Sequence, residues 1–283
     1  MKQYIKKLLQ VASLFVLLLV MAFSIRYAIA NSHDWKVPPK VHVLFMGASH
    51  ITRGIDDSLM ETALNWSSPS ERYMFTYIKM EHLLADNPQI DSVFLQCSAT
   101  DLWEDTDYKY HDSNEQSKYV KCYWPLMTIE QMKLYKDEPL QAFHLALNGL
   151  FATDDIKQSK WWNTLGGYAP LSTTFDTNDM HPNREKPRGY GQAINYDYLR
   201  KINTLCKEKN VKLILLQCPV LHLDYYYDMD YFYNALRENF SDIEFADFSD
   251  LEIPDEYRYD PHHLNKDGAK YFTKVLMERY NIK

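Results

Sequence analysis

The sequence predicts an α/β fold: a three-layer α/β/α domain on a parallel sheet of about five strands, with an N-terminal membrane segment and a long insertion after the third strand. Three observations predict it. Short, predominantly apolar runs such as Val41–Met46, Ser92–Cys97 and Val211–Cys218 have the pattern of strands buried on both faces. Stretches of helical spacing alternate with them, as βαβ units and right-handed crossovers require. Between residues 102 and 191 that alternation lapses, as expected of an insertion or lid.

The N-terminus reads first. Lys2, Lys6 and Lys7 precede an uncharged run from Leu8 to Ile25. At 1.5 Å per residue that run is about 27 Å long, enough to cross a hydrocarbon core. The lysines place the N-terminus in the cytoplasm and the remainder outside, periplasmic or external. Ala28-Ile29-Ala30 has the form of a cleavage site, so a removed signal peptide and a secreted product form the competing reading. The length of the run, and Arg26 between it and the alanines, favour an uncleaved single-pass anchor. The expected organisation is an anchor or signal at 1–30, a linker at 31–40 containing Pro38 and Pro39, and one α/β domain at 41–283 that includes the 102–191 insertion.

Bulk properties narrow the function classes. With 46% hydrophobic and 24% charged residues the chain is globular rather than disordered. A net charge of −7 and the lack of a basic stripe argue against a nucleic-acid partner. The 22 tyrosines and 6 tryptophans suit contacts to sugars or acyl chains, and equally suit plain packing. Cys97, Cys122, Cys206 and Cys218 are even in number, which permits disulfides in an exported chain. Cys97 and Cys218 end buried runs and Cys206 sits in a helical pattern, so buried free thiols are expected.

In chain order, Val41–Met46 is the first strand, Gly47 ends it in a sharp turn, and Ser49 lies on that turn. Asp56, Asp57 and the capping-box spacing from Ser58 to Glu61 predict a helix starting there. A short second strand ends near Asn65-Trp66-Ser67. A helix over about 72–85 is stopped by Asn87-Pro88. Ser92–Cys97 is the third strand, followed by the Ser98-Ala99-Thr100-Asp101 loop. The insertion holds helical pieces near 129–135 and 140–151, the pair Trp161-Trp162, and a Gly166-Gly167-Tyr168 loop. Regular structure resumes with a helix from Ile194 to Asn210. The fourth strand is 211–218, a helix spans about 230–239, the fifth strand is 243–248, and the last helix spans about 266–280.

Two stretches carry chemistry. Ser49 lies at the carboxyl edge of the sheet, where α/β folds place their sites and where backbone N–H groups can face a developing oxyanion. Asp260-Pro261-His262-His263 precedes the last helix. Its spacing lets the Asp260 carboxylate reach the His263 imidazole, fix the tautomer and leave the other nitrogen as a base. A metal site on Asp260, His262 and His263 lacks further ligands in the sequence, so neither metal nor cofactor is expected.

Together these segments resemble the SGNH/GDSL hydrolase family. Gly47-Ala48-Ser49-His50 is similar to its first block and Asp260-Pro261-His262-His263 to its last. The continuation His263-Leu264-Asn265, with Gly268 and Ala269, and the Arg53-Gly54-Ile55-Asp56 segment resemble a membrane-anchored, extracytoplasmic branch. The resemblance implies a flavodoxin-like sheet and a Ser49-His263-Asp260 catalytic triad. Its second block has a glycine whose N–H serves the oxyanion hole; here Asn65, Trp66 and Ser67 or Ser68 stand in. Its third block has an asparagine donor; here Thr100 stands in. Ala48 replaces the family's aspartate. His50 is a candidate to line the site, and Arg53 a candidate to bind an anionic substrate group or to form a salt bridge.

Two functions follow from the resemblance. One is a serine esterase or O-acyltransferase acting on acylated cell-envelope glycan or glycolipid. The other is a non-catalytic SGNH-fold scaffold that serves a membrane-bound acyltransferase, a reading that the altered blocks support.

Overall fold

A computed structural model of the chain describes residues 1–32, 34–102, 119–120, 122–133, 139–150, 166–173, 196–221 and 228–283. The chain forms two compact units: Met1–Asp34 with Ser113–Ser159, and Trp35–Asp112 with Lys160–Lys283. The described residues of the first unit include the helices α1 (Lys2–Asn31), α4 (Ile129–Lys133) and α5 (Pro139–Leu150) and a 3-10 turn, Trp124–Leu126. Helix α1 is long and apolar enough to cross a membrane, with a mean hydropathy of 2.5 over its best window.

The second unit holds the sheet. Its strands are β1 (Val43–Met46), β2 (Ala63–Asn65), β3 (Ser92–Gln96), β4 (Lys212–Gln217) and β5 (Glu244–Asp247). Its helices are α2 (Ser49–Gly54), α3 (Tyr73–Asp86), α6 (Asp197–Glu208), α7 (Met229–Asn239) and α8 (Lys266–Tyr280). The strand order is β2-β1-β3-β4-β5 and every pairing is parallel. The predicted α/β class and parallel five-stranded sheet are therefore what the chain forms.

The strands are apolar because helices cover both faces of the sheet. Helices α2 and α8 pack on each other, as do α3 and α6. Phe45 of β1 stacks on Phe94 of β3, with ring centres 4.9 Å apart, inside a core that includes Ile51 of α2 and Phe272 of α8. The order 2-1-3-4-5 puts a topological switch between β1 and β3, where adjacent crossovers diverge and a crevice opens at the strand ends. The chain leaves β1 into Ser49 and β3 into Ser98–Asp101, so both segments emerge at that switch.

The segment between β1 and β2 differs from the sequence expectation. A helix does not start at Ser58; it starts at Ser49 itself and ends at Gly54. Asp56 caps a single 3-10 turn, Asp57–Leu59, by accepting from the Ser58 N–H. The turn goes no further because residues 63–65 are drawn into the sheet beside β1, where Asp57 Oδ2 also takes the Asn65 N–H at 2.9 Å. The other predicted elements fall within a few residues of their expected ends, and α8 runs over the expected 266–280. Asn265 begins it by accepting from the Asp267 and Gly268 N–H groups. All four cysteines are buried and free.

The loop after β2 is anchored by a buried charge pair. Lys79 of α3 donates to Glu71 Oε2 at 2.9 Å and to the Trp66 carbonyl at 2.6 Å, and both side chains are shielded from water. Thr76 donates to the other Glu71 oxygen. Removing Lys79 takes from the buried Glu71 carboxylate the ammonium that faces it. Lys79→Met should therefore cost about 3–5 kcal/mol of unfolding free energy, read from urea denaturation; a change below about 1 kcal/mol would show that Glu71 finds water or another partner.

Candidate active site

The local geometry starts at Gly47. Its φ of +135° is strained for any side chain, and a Cβ there would lie 2.4 Å from Gln96 Cβ. Only glycine lets β1 turn this tightly against β3. Ala48 follows in extended conformation and gives helix α2 no side-chain cap. The cap comes from β3 instead. Gln96 Oε1 accepts from the N–H groups of Ala48, His50 and Ile51 at 3.1–3.3 Å. Gln96 Nε2 donates to Asp101, which also takes the Ser98 N–H and hydroxyl. Among the described residues the Ser49 N–H has no acceptor. Gln96 thus satisfies the donors around Ser49 and leaves that one open.

His263 meets Ser49 from the opposite side. Its Nε2 lies 2.9 Å from Ser49 Oγ, and its Nδ1 lies 2.9 and 3.0 Å from the two Asp260 oxygens. The same carboxylate accepts the N–H groups of His262 and His263 at 2.7 and 2.8 Å. The loop is closed by the Tyr259 N–H on the His263 carbonyl and by a bridge between Arg258 and Leu264. Burial pushes the Asp260 carboxyl up, but the hydrogen bond and charge of His263 and the two backbone donors outweigh it and hold the group below its usual range. The residues after His263 have plain structural duties. Leu264 is buried, Asn265 caps α8, and a Cβ on Gly268 would lie 2.2 Å from the Tyr257 carbonyl.

The expected oxyanion and binding residues take other roles. The Ser67 N–H donates to Asn65 Oδ1 at 3.1 Å and the Ser68 N–H to the Gly47 carbonyl at 2.9 Å, so both already have acceptors. Asn65 is a buried bracket: its Nδ2 donates to the Ile51 and Ile55 carbonyls, and its Oδ1 also accepts from the Ser67 hydroxyl. Thr100 Oγ1 lies 2.9 Å from Ser98 Oγ, whose own proton goes to Asp101, so Thr100 donates to Ser98. His50 places its ring edge-on to His263, 5.6 Å between centres. Its Nδ1 is buried without a partner among the described residues, and burial, then the neighbouring His263 and His262, lowers its pKa to about 3. Arg53 donates to the Ala169 carbonyl at 2.6 Å.

That last contact belongs to a strap that includes the expected Gly166-Gly167-Tyr168 loop. Residues 166–171 run across the site. The Gly167 N–H donates to the Ser67 carbonyl, the Ala169 N–H to the Thr52 carbonyl, and the Lys266 N–H to the Leu171 carbonyl. The strap therefore ties the loop after β2, helix α2 and the start of α8. Gly166 has no room for a side chain beside Trp66, and Gly167 has φ +120°. The paired glycines were its sequence signal. For Gln96 the signal was a polar residue ending an apolar strand. Trp161 and Trp162 lie outside the described residues.

Comparison with known proteins adds little. A family model matches residues 177–282, the stretch that holds β4, β5, Asp260 and His263. No curated protein matches. A solved structure from Streptococcus pneumonia, provisionally described as a platelet activating factor, is similar over 95% of this chain and 98% of its own, at 13% identity and a TM-score of 0.42. At that distance the similarity assigns no activity.

Gln96→Leu leaves three buried N–H groups and Asp101 short of partners. It should destabilise the fold by at least about 1–3 kcal/mol, measured by urea unfolding; an unchanged midpoint would show that water replaces the amide. His50 gives a pH signature. The unfolded chain protonates it near 6.5 and the folded chain resists until about 3, so its stabilising contribution is full above about pH 6.5 and falls as the pH drops toward 3. The stability lost between about pH 7.5 and pH 5 should be smaller in His50→Gln than in the parent; equal losses would contradict the assignment.

Proposed function

We propose that the protein is an SGNH/GDSL-type serine esterase or O-acyltransferase that acts through Ser49, His263 and Asp260. The observation that carries this reading is the unbroken line of contacts from Ser49 Oγ through His263 Nε2 and Nδ1 to the Asp260 carboxylate. An imidazole in that position takes the hydroxyl proton as Ser49 attacks an acyl carbonyl. Asp260 holds the Nδ1 proton and stabilises the imidazolium. The open Ser49 N–H receives the oxyanion. His263 then gives its Nε2 proton to the departing alkoxide, leaving an acyl ester on Ser49. Water or a sugar hydroxyl, deprotonated by the same nitrogen, attacks that ester, and the serine recovers its proton.

The anchor supports a substrate class. A domain held outside the membrane by α1 meets acylated envelope glycans and glycolipids, and no step needs a metal or cofactor. The second reading, a non-catalytic scaffold beside a membrane acyltransferase, is favoured by one observation. The N–H groups of Ser67 and Ser68 and the Thr100 hydroxyl are all engaged. The loss of one oxyanion donor slows acyl transfer by about 10²–10³. The enzyme reading therefore carries slow turnover, or a second donor delivered with the substrate or a partner.

A fluorophosphonate probe separates the two. The full chain in detergent should be labelled at Ser49, Ser49→Ala and His263→Ala should not label, and Asp260→Asn should label about 10⁴-fold more slowly. A folded parent that does not label would favour the scaffold.

A further inference from the structure

The unit formed by Met1–Asp34 and Ser113–Ser159 contains a cavity of about 320 Å³. Its wall includes Phe23 of α1, Trp124, Met127, Met132 of α4, and Phe143 and Ala146 of α5. Those side chains are apolar with one exception. Trp124 Nε1 is a buried donor with no acceptor among the described residues. A site of this size lies within the range that holds small ligands, about 300–1,000 Å³, and its apolar lining offers water few hydrogen-bond partners.

The depth of the cavity follows from α1. Phe23 lies inside the uncharged run that ends at Ile25, three residues before Arg26 and so about 4.5 Å from it along the axis. If α1 spans, Phe23 sits at the outer edge of the hydrocarbon. Whatever packs on Phe23 shares that depth. The Trp124 ring meets Phe23 edge-on at 4.9 Å and the Phe143 ring stacks on it at 6.2 Å. The same unit exposes Ile129 (74%), Leu140 (83%) and Phe143 (49%). In water such a patch is costly; against acyl chains it is the ordinary surface of an interfacial helix. A tryptophan at this level is typical of the membrane boundary, where one end is apolar and the other meets polar groups.

We infer that this cavity is a lipid site that takes one acyl chain of an outer-leaflet glycerolipid. The chain fills the apolar space, and the ester carbonyls of such a lipid supply the acceptor that Trp124 Nε1 lacks. The inference rests on α1 crossing the bilayer and is independent of the serine chemistry.

The test uses the full chain in nanodiscs of phosphatidylcholine, with and without bromine on the acyl chains, which quenches indole fluorescence on contact. The Trp124 signal is the difference between the parent and Trp124→Phe. It should fall by about half or more with brominated chains, because the ring lies at chain depth. Ala146→Leu fills the cavity and should remove about half or more of that quenching. Leu17→Trp reports the span itself. If Leu17→Trp is quenched and Trp124 is not, α1 spans and the lipid site is wrong. If Ala146→Leu leaves Trp124 quenching unchanged, the ring faces bulk lipid and the cavity is not the site. If neither indole is quenched, the span reading fails and the site fails with it.

Discussion

The Gln96 side chain is the contact on which the candidate site depends. A serine nucleophile at the end of a strand needs a backbone that reverses within two residues and then starts a helix without a side-chain cap. Gly47 provides the reversal and Ala48 provides no cap. The buried N–H groups this creates need an acceptor, because an unpaired buried donor costs about 1–3 kcal/mol. Gln96 supplies one oxygen to three of them from the neighbouring strand. It can do so only because β1 and β3 are parallel neighbours in register, with Met46 opposite Leu95. Sheet order, the glycine and the glutamine are thus one constraint. Asp101 extends it by fixing the amide, and the loop after β3 is held by the same carboxylate.

The two halves of the candidate triad are held by different physics. Ser49 is placed by long-range contacts across the sheet. Asp260 and His263 are placed locally, in a loop whose carboxylate accepts two backbone N–H groups besides the imidazole. The 166–171 strap joins the halves, since it bonds to α2 at one point and to the start of α8 at another. Its glycines allow the close approach to Trp66 that such a seam requires.

This difference explains what could be read from the sequence. Local devices were legible: the helical pattern of α8, the Asp260–His263 spacing, and the apolar runs of β1, β3 and β4. The start of α2 at Ser49 was not, because its cap comes from a residue 47 positions away in sequence (96 − 49 = 47). The capping-box spacing at Ser58 misled for the converse reason. Its local signal is real and closes one turn, but sheet pairing at residues 63–65 takes the chain before a helix can grow. The oxyanion candidates show the same limit. Residue type marks Ser67, Ser68 and Thr100 as donors, and only three-dimensional contacts reveal that Asn65, Gly47 and Ser98 already receive them.

The most direct measurement is intact-mass analysis of the full chain after brief exposure to an activated acetyl ester, with peptide mapping of any adduct. The account predicts one acetyl group per chain on the peptide that contains Ser49, lost again on incubation with water or a sugar acceptor. No adduct on a folded chain, or an adduct on another residue with Ser49 unmodified, would contradict it.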